Sequence, residues 1–169
     1  MAKRQALATA RLREQHPLVA EVCSSLGVLL QIVKVGYLNE DYEGMYAPQT
    51  KTLYITEGTE SLETTLYHEV VHVLQVEADL PIFSTPKAYK AWRMLYKQSL
   101  DEGDLDFAEY ISSPLERGAW TCDLDSHMFV VPLLEFYLNI GRTPEMEEIK
   151  TLLGGSALSL EEMLDLDKV

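Results

Sequence analysis

Two histidines four residues apart enclose a glutamate in His68-Glu69-Val70-Val71-His72, inside residues 62–78, where apolar side chains recur with helical spacing. Residues four apart lie one turn above each other, so both imidazoles project from one face at a separation that a single Zn²⁺ bridges. Glu69 points about 100° away from His68, beside the ligand face, where its carboxylate reaches a water on the metal without replacing it. The chemistry this permits is hydrolysis: the metal lowers the pKa of water toward ~7, and the glutamate takes the proton as a carbonyl is attacked. Leu62, Leu66, Val70 and Val73 flank the histidine face on one side, and Val71 and Leu74 on the other, which predicts a helix buried within the domain. Two imidazoles buried on one face without a partner are costly, which favours a metal site over a chance match.

A zinc site needs a third protein ligand, drawn from Asp, Glu, His or Cys elsewhere in the chain. Glu116 is the best candidate, 44 residues beyond His72 at the predicted start of a helix, in Tyr110-Ile-Ser-Ser-Pro114-Leu-Glu116-Arg-Gly-Ala119. A structural role competes for it, because Ser113 as N-cap and Glu116 three residues later make a capping box. Glu109 is the runner-up. His16 and His127 read as surface or internally satisfied histidines.

The run HEVVH, followed by Gln75 and later by a segment of the form Y-x3-P-x-E-x-x-A, resembles the gluzincins, zincin peptidases with two histidines on one helix and a glutamate from a later one. The resemblance covers residues 46–119, less than half of the chain. It implies a zincin-like centre in an α+β, mainly helical domain, and a zinc-dependent endopeptidase acting on a peptide or protein. His68, His72 and Glu116 would then hold the zinc, Glu69 would be the general base, and Tyr110 would donate to the developing oxyanion. It further implies an edge strand upstream of the helix that pairs with extended substrate, with residues 45–48 and 52–56 as the pieces able to supply it. The chain departs from the larger gluzincins one turn after Glu116, where Trp120 stands in place of an aspartate. Asp123, two turns on, is the candidate for orienting a ligand histidine. Cys23 invites comparison with peptide deformylases, which pair the same motif with an upstream cysteine, but that family's glycine-rich and EGCLS segments are missing from this sequence.

The elements that must position these residues are legible in outline. Residues 1–15 read as a short exposed helix, and residues 18–26 as a second helix ended by Gly27. Residues 28–37 are rich in β-branched side chains and predict a strand, and residues 44–55 predict a hairpin or strand pair around Pro48, Gln49 and Thr50, completing a small mixed sheet ahead of the histidine helix. That helix is expected over residues 59–79, with Thr59 as a candidate N-cap. Further helices are expected over 85–100, 113–140 and 143–153, each opening near a proline, with a kink or break at Pro132. Ser159 and Glu162 predict a cap for a short last helix.

The 169 residues, 47% hydrophobic and 24% charged, suit one domain over 1–169 with no repeat or linker to divide it. At this length roughly 70% of the unfolded surface is buried on folding, so a metal here needs a chemical reason rather than a structural one. The 27 acids against 14 bases give a net charge of −13, which repels phosphate backbones and anionic lipids and argues against nucleic-acid or membrane binding. Cys23 and Cys122 form neither a disulfide framework nor a CxxC clip, no apolar run approaches the ~20 residues of a membrane span, and the N-terminal residues lack a secretory signal; a cytoplasmic protein is expected. The rival expectation is a zincin-fold regulatory or interaction protein that binds a peptide or protein partner without turnover. An acidic tail over 161–167, folding back on the metal site, is a related possibility for control.

Overall fold

A computed structural model describes residues 2–38, 42–80, 116, 119 and 126–152. The elements are α1 (Ala2–Gln15), α2 (Pro17–Ser25), β1 (Leu29–Val33), β2 (Gly44–Ala47), β3 (Thr52–Thr56), α3 (Leu62–Glu77), α4 (Ser126–Ile140) and α5 (Met146–Leu152). Among the described residues, helices and one small three-stranded sheet make an α+β arrangement. Among the described residues no helix is long and apolar enough to cross a membrane.

The sheet order is β1-β3-β2, with β1 parallel and β2 antiparallel to β3. Strand alternation sends every second side chain inward. The register lines these up in two rows across the sheet, Leu30 with Leu53 and Tyr46, and Ile32 with Ile55 and Gly44. All six are buried. Helix α3 lies on this inner surface against β2 and β3, and Leu66, Val70, Val73 and Leu74 are each fully buried in the same cluster as Leu53, Ile55, Val22 of α2 and Leu133 of α4. A helix buried nearly all round can hold polar side chains only where partners await them, which makes each polar residue of α3 informative.

Both edges of the sheet are met by side-chain oxygens. On β1 the outward N–H of Ile32 donates to Thr9 Oγ1 of α1 at 3.0 Å. On β2 the N–H of Tyr46 donates to Glu69 Oε2 of α3 at 2.7 Å. Closing unpaired edge donors in this way prevents the sheet from extending indiscriminately.

Several boundaries differ from the sequence expectation. The strand expected over 28–37 ends at Val33, because residues 34–37 turn, with Gly36 at φ +77° and Tyr37 N–H donating to Lys34 O. The first helix is not simply exposed, since Leu12 is buried and Thr9 caps β1. Thr59 does not cap α3: its hydroxyl donates back to Thr56 O, and the helix starts at Leu62 after Ser61. Residues 52–56 form the central strand and so have no free edge, which removes them as substrate-pairing candidates and leaves β2. Helix α4 runs continuously through Pro132. The helix expected from 143 begins at Met146, where Glu148 Oε2 accepts from Glu145 N–H in the manner of a capping box, while Thr143 Oγ1 donates to Ala78 O and ties this corner to the end of α3. The helices expected over 85–100 and after Ser159 lie outside the described residues, as does the first part of the one expected over 113–140, apart from Glu116 and Ala119, which are helical.

Candidate metal centre

His68 and His72 lie one turn apart on α3, and their rings meet edge to face with centroids 4.8 Å apart. Their Nε2 atoms are 3.1 Å from each other. Into this gap comes the Glu116 carboxylate, with Oε1 2.9 Å from His72 Nε2 and Oε2 3.3 Å from His68 Nε2. His72 and Glu116 are buried, and His68 is nearly so. One ligand atom from each of the three lies within 4.8 Å of the others, a group able to hold a metal ion. Ala119, three residues after Glu116, is fully buried in the core cluster that also holds Leu66, Val70 and Leu74 of α3.

The donor set fits a small divalent cation on two grounds. The first is size: a tetrahedral ion with ligands at about 2.0–2.1 Å needs neighbouring ligand atoms about 3.3 Å apart. The two nitrogens stand 3.1 Å apart and each meets a different oxygen of Glu116, His72 meeting Oε1 at 2.9 Å and His68 meeting Oε2 at 3.3 Å, so each of these contacts is of nearly that size. The second is tautomer. His72 Nδ1 lies 2.8 Å from Gln75 Oε1, an acceptor, so the Nδ1–H donates there and the lone pair of a neutral His72 sits on Nε2, facing the group.

Charges within the group respond to one another. Burial alone depresses His72, but the Glu116 carboxylate beside it outweighs burial and raises it above the usual histidine value. Burial likewise pushes Glu116 up, and the facing imidazoles more than reverse this, holding the carboxyl far below the ordinary glutamate range. Without a cation, a proton on the imidazoles serves as the positive charge that this carboxylate demands.

Glu69 stands apart from the ligand group and is buried against β2. Burial raises its pKa, opposed by His72, His68 and the hydrogen bond from Tyr46 N–H. Oε2 accepts that bond at 2.7 Å. The side chain is also close to Gly44, where an added Cβ would stand 2.9 Å from Glu69 Cγ and 3.3 Å from Oε1. A strand glycine with no positive φ is explained by such close approach.

Of the residues singled out in the sequence, His68, His72 and Glu116 come together and Glu69 lies in electrostatic contact with all three. Tyr110, Glu109, Ser113, Trp120, Cys122 and Asp123 lie outside the described residues. Cys23 is buried on α2 away from the ligand group, its thiol pushed up to about 12 by burial, which suits packing and not metal ligation. His16 precedes α2 and packs edge-on against Tyr67. Three residues with roles here were not foreseen: Gln75 as the partner of His72, and Gly44 and Tyr46 as neighbours of Glu69. The spacing of three between His72 and Gln75 carried the first signal, since such residues share a helix face. The glycine in a short strand ahead of the motif carried the second.

No protein-family profile, curated protein or solved structure matches this chain.

Proposed function

We propose that the chain is a zinc-dependent endopeptidase of the gluzincin type with a zincin-like fold. The observation that carries this reading is the convergence of Glu116 on His68 and His72, from 44 residues along the chain, into a group that offers one ligand atom from each residue within 4.8 Å of the others, beside the buried Glu69. His68 Nε2, His72 Nε2 and the Glu116 carboxylate hold the ion. Bound there, zinc supplies a Lewis acid that acidifies water and polarises a carbonyl.

The remaining work falls to the chain's own groups. Gln75 fixes the His72 tautomer. Glu69, with Oε2 engaged by Tyr46, has Oε1 with which to take a proton from water and return it to the departing amine. Burial raises its pKa, which is the direction that favours a carboxylate taking up a proton and giving it back. Tyr110 donates to the developing oxyanion in the same reading.

Substrate is a peptide or protein segment in extended form, paired with the edge of β2. Thr56 N–H donates to Glu43 O, and alternation then directs the main-chain groups of Met45 and Ala47 toward β3 and those of Gly44 and Tyr46 off the edge. Tyr46 N–H is taken by Glu69, so Gly44 N–H and C=O and Tyr46 C=O are the groups that pair with a peptide.

Glu69→Gln tests the reading. Hydrolysis of an unstructured protein substrate is lost, by a factor of about 10² or more, while zinc content is retained. Undiminished turnover in this variant contradicts the mechanism, and tight peptide binding without cleavage by the wild type supports instead a binding protein that uses the same fold.

A further inference from the structure

The placement of Glu69 depends on two residues of β2 that carry no reactive group. Tyr46 N–H donates to Glu69 Oε2 at 2.7 Å, and both groups are buried. Two residues earlier on the same face of the strand, Gly44 leaves the space that the Glu69 side chain and Thr65 occupy: a Cβ there would stand 2.9 Å from Glu69 Cγ and 2.6 Å from Thr65 Cγ2. Both separations are shorter than real Cβ contacts, so any side chain at 44 displaces one or both neighbours. Nothing in the backbone conformation asks for glycine at this position.

The strand itself is held in register with the helix at a second point. Tyr46 is fully buried, and its hydroxyl donates to Glu77 Oε1 at 2.7 Å, while Glu77 Oε2 pairs with Lys51 Nζ at 2.8 Å. Glu69 and Glu77 are eight residues apart on α3, about 12 Å along the axis. One residue therefore fastens β2 to the helix at two points roughly two turns apart, and β2 cannot slide or tilt along α3 without breaking one of them.

We propose that Gly44 and Tyr46 are positioning residues for Glu69, fixing its carboxylate on the strand by a main-chain hydrogen bond and by an empty Cβ position. The consequence is selective. A glutamate side chain has three rotatable bonds, and a free one next to a cation swings inward as a further ligand. Anchored through Oε2, Glu69 stays beside the His68, His72 and Glu116 group and keeps Oε1 for proton transfer. The kinetic part of this inference rests on the hydrolytic reading above; the structural part does not.

The test uses isotopically labelled full-length protein, with and without zinc. A backbone amide donating to a buried carboxylate resonates downfield and exchanges slowly. The Tyr46 amide proton is expected to show both features in the wild type, and to move upfield and exchange at least about tenfold faster in Glu69→Ala. Gly44→Ala should move it the same way with zinc content unchanged, and should lower kcat at least tenfold with KM altered less than about twofold. In Gly44→Ala combined with Thr65→Ser, which removes Cγ2 and so relieves only the contact with Thr65, the loss should persist. Recovery in that double variant assigns the glycine to packing on Thr65 and overturns the proposal. A Tyr46 amide that is indifferent to Glu69→Ala overturns it whether or not Gly44→Ala folds. A wild type that hydrolyses no peptide contradicts the hydrolytic reading alone, and the amide measurement still decides the positioning.

Discussion

Gln75 stands three residues after His72 on α3, both fully buried, and its Oε1 lies 2.8 Å from His72 Nδ1. A buried amide in an apolar helix stabilises nothing by itself; here its acceptor fixes which ring nitrogen faces Glu116 and His68. Removing such an orienting partner typically weakens a metal site by about 10–100-fold. Gln75→Leu is expected to do so in a competition titration against a zinc chelator, with the fold intact by circular dichroism. Gln75→Glu, which keeps an acceptor at the same place, is expected to lose much less. Equal affinity in wild type and Gln75→Leu would remove Gln75 from the account.

The charge coupling between Glu116 and His72 predicts how pH acts on the metal-free protein. The His72 value is raised in the fold, with the carboxylate outweighing burial, so its stabilising contribution is complete below the ordinary histidine value of 6.5 and is lost as pH rises through the folded value. Glu69 is raised by burial and acts in the same direction. Glu116 is depressed, so its contribution is present above the ordinary value of 4.5 and lost only as pH falls through its low folded value. The metal-free chain is therefore expected to melt at higher temperature at pH 6 than at pH 8. Zinc replaces the proton and should remove or reverse the difference, because protons compete with the ion at the same nitrogens. A chelated protein that is more stable at pH 8 contradicts this coupling.

Tyr46→Phe retains the ring and the N–H but deletes the hydroxyl that donates to Glu77, leaving that carboxylate with Lys51. A hydrogen bond to a charged group is worth about 1.5–3 kcal/mol. Urea unfolding should show a loss at the lower end of that range, since Lys51 still pairs with Glu77. No loss would mean that the far anchor of the strand contributes nothing.

What the sequence disclosed follows the range of the interactions involved. The His68 and His72 pair was legible because helical periodicity alone puts residues four apart on one face. The identity of Glu116 as the third member rested on the resemblance of a short segment, since no local rule brings residue 116 to residue 72. The sheet was foreseen as small and mixed, but its order was not: whether residues 44–47 or 52–56 form the edge depends on which strand β1 chooses, a tertiary decision that puts β3 in the middle. Thr59, a candidate cap by residue type, serves a turn instead, because a threonine hydroxyl bonds a turn as readily as it caps a helix, and here it donates back to Thr56 O. The anchoring of Glu69 by Gly44 and Tyr46 was invisible for the same reason as the strand order, being a contact between elements whose register no periodicity sets.

The most direct measurement is metal content by elemental analysis of the purified wild type and of Glu116→Ala, without added zinc. About one zinc ion per chain in the wild type, with a marked loss in the variant, is the predicted result. Zinc in neither protein, even after reconstitution, would mean that His68, His72 and Glu116 form a structural group that holds no metal, and would contradict the account.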